Sequence, residues 1–102
     1  MKVESVAAIQ VLDTGELLLT LDSLGSPAYQ YVYRGAAGVY WDNNRHGFKS
    51  TPMTDMSASQ WYFHIVAIVR NELGVDLRLG ETVTWDNIAS DEQGKIEGAH
   101  AT

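Results

Sequence analysis

The stretch SASQWYFHIVAIVRNEL, Ser57 to Leu73, decides how the rest of the chain reads, because it holds both the longest helical periodicity and the densest block of large apolar residues. At about 100° per residue, Ile68, Trp61, Ile65, Val69, Tyr62, Leu73 and Val66 follow one another around a broad apolar arc. Ser59, Gln60, His64, Arg70 and Asn71 fall on the remainder. Ser57 followed by Gln60 is a capping-box pattern, and Asp55 offers a further cap just upstream. Gly74 supplies the left-handed residue that closes a helix. Such a helix needs a surface to cover. Phe63 lies outside the arc beside Arg70, where a phenyl ring asks for a further contact, and a second subunit is the expected source.

On the N-terminal side of this helix the pattern changes to period two. Val3, Ala7, Ile9 and Val11 read as the better-buried odd face of a strand. Asp13 to Glu16 is turn chemistry, and Leu17 to Leu21 returns as the second strand of a hairpin. After the loop DSLGSP, Asp22 to Pro27, the segment AYQYVYR places Tyr29, Tyr31 and Tyr33 on one side and Gln30, Val32 and Arg34 on the other. Ser26-Pro27 would also serve as a helix cap and first helical residue, but the aromatic and β-branched content favours a strand. Gly35 to Gly38 is a small-residue connection and Val39 to Asp42 the return strand. Asn43 to Gly47 is a turn, and Phe48-Lys49 begins one more short strand before Pro52. Beyond the helix, Thr82 to Trp85 reads as a short strand of unassigned position, and the chain is polar from Asp86 onward.

These elements predict an α+β fold: an antiparallel four- to five-stranded meander packed in two layers against one long α-helix. The single domain is expected over residues 1–90, with a polar C-terminal tail or short helix over residues 91–102. Val6, Ala8, Leu12, Leu18, Val32 and Tyr40 make the second sheet face look apolar as well. A second layer is then required, and a two-fold homodimer is expected to supply it.

Composition narrows the partners. The chain has 102 residues, 13 acidic against 7 basic side chains, a formal charge of −6 and no cysteine. An acidic surface repels nucleic-acid phosphates and anionic lipid, so neither partner is expected. Disulfides and thiolate metal sites are excluded. MKVESVAAIQVL carries Glu4 and Gln10 within its apolar run, unlike a signal-peptide core, and no stretch reaches the roughly 18 apolar residues needed to cross a bilayer. The expectation is a soluble, cytoplasmic protein.

Motifs that carry chemistry are few. Asp42-Asn43-Asn44-Arg45-His46-Gly47 begins like a calcium-binding loop, but His46 occupies the fifth position and Met53 the twelfth, so a hairpin turn is the better reading. The histidines His46, His64 and His100 lack metal-site spacing. No nucleophile elbow or phosphate-binding glycine loop occurs. No catalytic residue, metal or cofactor is therefore predicted. What remains is the aromatic set, with a polar atom on most of its large apolar bodies. Tyr29, Tyr31, Tyr33, Tyr40, Trp41, Trp61, Phe63, His64 and Trp85 are the candidate ligand or interface residues.

The run AYQYVYRGAAGVYWD followed by SQWYFHIVAIVRNELGV, in a small acidic chain without cysteine, resembles the orphan α+β proteins encoded in mobile integron gene cassettes. The resemblance implies a compact, often oligomeric protein of unassigned activity, with no catalytic residues to carry over. The function expected is non-enzymatic binding of a small molecule, peptide or partner protein on an aromatic sheet face or groove. A small enzyme using His64 or His46 with a carboxylate is the alternative, and an acidic neutraliser of a basic partner is a third reading.

Overall fold

The computed structural model describes residues 2–35 and 37–100. Ala36 of the small-residue connection and residues 101–102 of the tail lie outside the described residues. Five strands form one sheet: β1 (Lys2–Val11), β2 (Leu17–Leu21), β3 (Val39–Asp42), β4 (Gly47–Ser50) and β5 (Val75–Asp86). A 3₁₀ helix (Pro27–Gly35) lies between β2 and β3, α1 (Ala58–Leu73) between β4 and β5, and α2 (Ser90–His100) follows β5.

The sheet order is β3-β4-β2-β1-β5, and the sheet is mixed rather than antiparallel, because β1 and β5 run parallel. The reason lies in α1. At about 1.5 Å per residue the helix spans roughly 24 Å, enough to carry the chain back along the sheet. The strand after it must then run the same way as β4. β4 is antiparallel to β2 and β2 to β1, so β4, β1 and β5 all share one direction. Among the described residues there are also three helical elements in place of one.

The tyrosine segment is the clearest correction. Residues 28–34 form no strand; Ser26-Pro27 starts the 3₁₀ helix instead, with the Tyr29 amide donating to the Ser26 carbonyl at 3.0 Å. Three residues per turn place Tyr29 and Val32 on one side. Both are buried, whereas Tyr31 and Tyr33 are exposed. Alternating tyrosines imitated period two while burial followed period three.

β1 also departs from a simple odd face. Its inward residues are Glu4 and Val6, then Ile9 and Val11, because the register shifts between Val6 and Ala8. One extra residue in a bulge exchanges the two faces. Across the sheet, Trp41, Phe48, Leu19, Ile9 and Trp85 stand opposite one another in a single inward row. Tyr62, Ile65 and Val69 of α1, Tyr29 and Val32 of the 3₁₀ helix and Ile96 of α2 close over the inward face as one core. Full burial of Ile96 contributes roughly 2 kcal/mol toward holding α2 in place.

The outer face does not carry the apolar surface expected of it. Val6 turns inward and Val32 is not in the sheet. Tyr40, Lys49, Leu18, Gln10 and Asp86 form one outer row, flanked by Asp42, Gly47, Thr20, Ala8 and Thr84. Leu18 is buried there because its side chain leans into the space that Gly47 leaves. The outer sheet is thus largely polar and needs no apolar lid.

α1 is fixed at both ends. Ser57 and Gln60 form the reciprocal capping box, and Gly74 sits at φ 66°, its amide donating to the Arg70 carbonyl. Ser59 is buried rather than solvated, because Glu92 of α2 accepts from its amide at 2.9 Å and its hydroxyl at 3.0 Å. These bonds from Ser59, then from the Ser57 hydroxyl and Lys95, pull the Glu92 carboxyl down to about 2. A carboxylate at a helix N-terminus also meets the positive end of the helix dipole.

Candidate functional site

The inward turn of the 3₁₀ helix brings Tyr29 against Trp41 and Phe48. Its ring stands edge-on to Trp41 with centroids 5.2 Å apart, and lies 5.4 Å from Phe48. Trp41 and Phe48 are themselves 4.9 Å apart. The phenol donates to the Glu4 carboxylate at 2.5 Å, and the Ser23 hydroxyl donates to the other oxygen at 2.9 Å. The Lys2 ammonium lies 3.7 Å away. Glu4 is 5% exposed, so these partners make its charge tolerable inside the fold. Burial, the hydrogen bond to Glu4 and then its charge all hold the Tyr29 phenol above its ordinary range.

A cavity of about 350 Å³ opens against Trp41, between β3 and the loop that precedes the 3₁₀ helix. Leu24, Gly25 and Pro27 form its loop side, and Ser26, Gln30 and Asn43 supply its polar groups. Gly25 has φ +80°, and a Cβ there would fall 2.4 Å from the Trp41 ring. Only glycine lets the backbone lie flush on the indole. The Trp41 Nε1 donates to the Asn43 side-chain oxygen at 3.4 Å, and the Ser23 hydroxyl accepts from the Gly25 amide at 3.1 Å. Among the described residues no ionisable side chain lines this cavity.

A second aromatic group lies at the other end of β3. The His64 Nε2 is 2.9 Å from the Ala37 carbonyl, with its ring edge-on to Trp61 at 5.3 Å. Trp61 in turn packs over Gly38, which has φ +79°. Together the two side chains clasp the entrance to β3. Beside it, Tyr33, Gly38, Val39, Tyr40 and Thr51 line a recess of about 350 Å³.

The nine candidate residues are therefore divided. Tyr29 and Trp41 meet in one cluster, Trp61 and His64 in another, with Tyr33 and Tyr40 at the recess between β3 and the 3₁₀ helix. Phe63 stands 41% exposed on α1, edge-on to Tyr62, and Tyr31 is exposed on the 3₁₀ helix. Trp85 ends the inward row at β5, four strand spacings or about 19 Å from Trp41, so the two do not wall one groove. Neither His46 nor His64 pairs with a carboxylate: His64 faces a carbonyl, and the His46 Nδ1 is buried without a partner.

The segment resembling a calcium loop is a hairpin turn. One Asp42 oxygen accepts from the Asn44 and Arg45 amides at 3.0 Å, and the other meets Lys49 at 3.4 Å. Partial burial works to raise this carboxyl, but those amides and Lys49 outweigh it and hold it below its ordinary value. Asp42, Asp13, Glu16 and Asp86 border an acidic hollow of about 540 Å³, into which Lys49 and Arg45 also reach.

Sequence reasoning missed Glu4, Ser23, Gly25 and the rim residues Ser26, Gln30 and Asn43. The Ser26-Pro27 start with Tyr29 and Val32 three apart was the available signal for the loop and 3₁₀ helix. Nothing near Glu4 announces a buried acid.

The model of the family described as Integron Cassette Protein Hfx_Cass5 matches residues 6–83. The chain belongs to this integron cassette protein family. A solved structure of Integron Cassette Protein Hfx_Cass5, from the mobile metagenome of the North West Arm sewage outfall, is similar to it at 32% identity. The match covers 100% of this chain and 99% of that one, with a TM-score of 0.44. Comparison with curated proteins returned no match. Both aromatic clusters of this cassette protein apart from Glu4 fall within the family match, whereas α2 with its Glu92 contact lies beyond it.

Among the described residues no helix is long and apolar enough to cross a membrane, and no cluster of three or more potential ligands could hold a metal ion.

Proposed function

We propose that this cassette protein is a non-enzymatic binding protein, and that the Trp41 cavity takes a small uncharged molecule with one flat apolar face and hydroxyl or amide groups at its edge. The observation that carries the reading is the neutral lining of a preformed hollow with an indole for its wall. Its volume falls within the range of small-molecule sites, and its few polar groups converge from the rim. Trp41 offers the ring for stacking. Ser26 already accepts from the Ala28 amide at 3.4 Å, which leaves its O–H to donate. The Gln30 side chain makes no hydrogen bond to another described residue, so its amide is available as donor and acceptor. The lack of ionisable groups among the described lining residues disfavours charged ligands, which would be desolvated without compensation. A cysteine-free chain suits a reducing cytoplasm.

The test is ligand-observed NMR with three uncharged probes, N-acetylglucosamine, nicotinamide and N-acetyltyrosinamide, against glutamate as a charged control. At least one neutral probe should bind, and Gln30→Ala should weaken that binding about tenfold while leaving the fold intact. Binding of glutamate alone, or binding indifferent to Gln30→Ala, would remove the reading.

A further inference from the structure

We infer that the Trp41 cavity selects a planar, uncharged nitrogen heterocycle whose polar edge carries two hydrogen-bond acceptors and one donor, the pattern of a pyrimidine base. The inference rests on the binding-protein reading of this cavity and names the chemistry of its ligand from the groups that the fold leaves uncommitted.

Two of the polar side chains at the rim are already half engaged, and what each has left follows from the partner it has. An indole N–H only donates, so the atom of the Asn43 amide that faces the Trp41 Nε1 at 3.4 Å has to be the oxygen. That orientation leaves the Asn43 NH2 group as a donor. A backbone amide also only donates, so the Ala28 N–H occupies the Ser26 hydroxyl oxygen at 3.4 Å and leaves its hydrogen to give. The backbone beside them is engaged as well: the Gly25 amide donates to the Ser23 hydroxyl, and the Ser26 carbonyl accepts from the Tyr29 amide. Gln30, on the 3₁₀ helix, keeps both halves of its amide.

The rim therefore presents donors from Ser26, Asn43 and Gln30 but one wholly uncommitted side-chain acceptor, the Gln30 oxygen. Its complement is an edge richer in acceptors than in donors. Sugars bring as many hydroxyl donors as acceptors on a puckered ring, and a guanine-type edge brings two donors to one acceptor. Uracil-type and cytosine-type edges have the required ratio. A side-chain carboxamide pairs with such an edge through two bonds, its oxygen taking the single donor and its NH2 group one acceptor. Ser26 and Asn43 then donate to the remaining acceptor, whose lone pairs have room for both. Trp41 supplies the face on which a flat ring stacks, and Leu24 and Pro27 add apolar contact from the loop. A phosphate on the ring would meet a chain of charge −6 and no cation among the described lining residues, so the ring is taken without one.

Ligand-observed NMR titration tests this with 1-methyluracil and 1-methylcytosine, against 1,3-dimethyluracil, which lacks the donor, and melamine, a neutral flat ring richer in donors than in acceptors along each edge. The better-bound of the first two should bind at least about tenfold more tightly than either control, because an unmatched polar group is left without a partner. Gln30→Glu replaces a donor of the rim by an acceptor at an exposed position. With an unchanged circular dichroism spectrum, it should move the ratio of pyrimidine to melamine affinity at least about tenfold toward melamine, a reversal that misfolding does not produce. Neutral compounds that bind without preference between the pyrimidines and the controls would overturn the inference and leave the binding reading standing. A ratio unmoved by Gln30→Glu would overturn it too, and binding of no neutral compound would overturn both.

Discussion

The two edges of the sheet are built in opposite ways. β5 is long, runs parallel to its neighbour, and carries Asp76, Arg78, Glu81 and Asp86 along its length. Between Leu79 and Thr84 it advances by several residues while β1 advances from Val6 to Ala8, so Gly80 to Val83 bulge out of the ladder. α2 packs back beside it. Charges, a bulge and a covering helix are the devices that keep a strand edge from pairing with strangers. β3 is short and regular by contrast: it is four residues long, has a tyrosine near its middle and Asp42 at its end, and the 3₁₀ helix packs against it. Its other supports, the 3₁₀ helix and the clasp of Trp61 and His64, hold it from the inward side. The two edges are thus protected by different means, one by charge and a bulge along a long strand, the other by shortness and a packed 3₁₀ helix.

The sharpest way to break that contrast is to dislodge β3 from its support. Gly25→Ala drives a methyl into the Trp41 ring and strains a backbone at φ +80°, so a loss of about 3 kcal/mol is expected in urea denaturation. Tyr29→Phe leaves the buried Glu4 carboxylate one donor short and should cost about 2 kcal/mol by the same measurement. On the β5 side the matching change is milder. Gly74→Ala occupies a left-handed residue with no atom within 4 Å, so only the backbone term remains, about 1 kcal/mol. A difference of a factor of about three between the two glycines would sharpen the comparison, and equal losses would break it.

A further prediction isolates α2. Glu92 is depressed to about 2 from an ordinary 4.5, so its bonds to α1 stabilise the fold fully above pH 4.5 and fade as the pH falls toward 2. The thermal midpoint should drop across that window in the wild-type protein, and Glu92→Gln should flatten the drop. An unaltered slope in the variant would assign the acid sensitivity to other carboxylates.

What could be read from the residues was what local chemistry decides. The caps of α1 were legible in Ser57, Gln60 and Gly74, and the hairpins in Asp13 to Glu16 and Asn43 to Gly47, because each of these depends on neighbours a few residues apart. The parallel partner of β1 was not legible, since it depends on where α1 delivers the chain. The bulge at Ala7 was hidden because valine and alanine suit either face of a strand. Tyr29, Tyr31 and Tyr33 misled for a different reason: a short 3₁₀ helix has weak preferences of its own, and tertiary packing of Tyr29 on Trp41 overrode the strand propensity of the segment. Of the candidate site, Trp41 was visible as a type of residue. Its cavity was not, because Gly25 and Gln30 acquire meaning only beside it.

The parallel pairing of β1 with β5 has a consequence in time. As the chain leaves the ribosome, β1 can form its hairpin with β2 at once, yet its other side has no partner until β5 has also emerged. Through most of synthesis the strand that ends up inside the sheet is an outer one, and Ile9 lacks the final tryptophan of its row. Completion of the sheet is thus a late step governed by a contact between distant parts of the sequence, which slows folding. The nascent protein has to pass through a stage in which β1, a central strand of the finished sheet, is itself an unpaired edge.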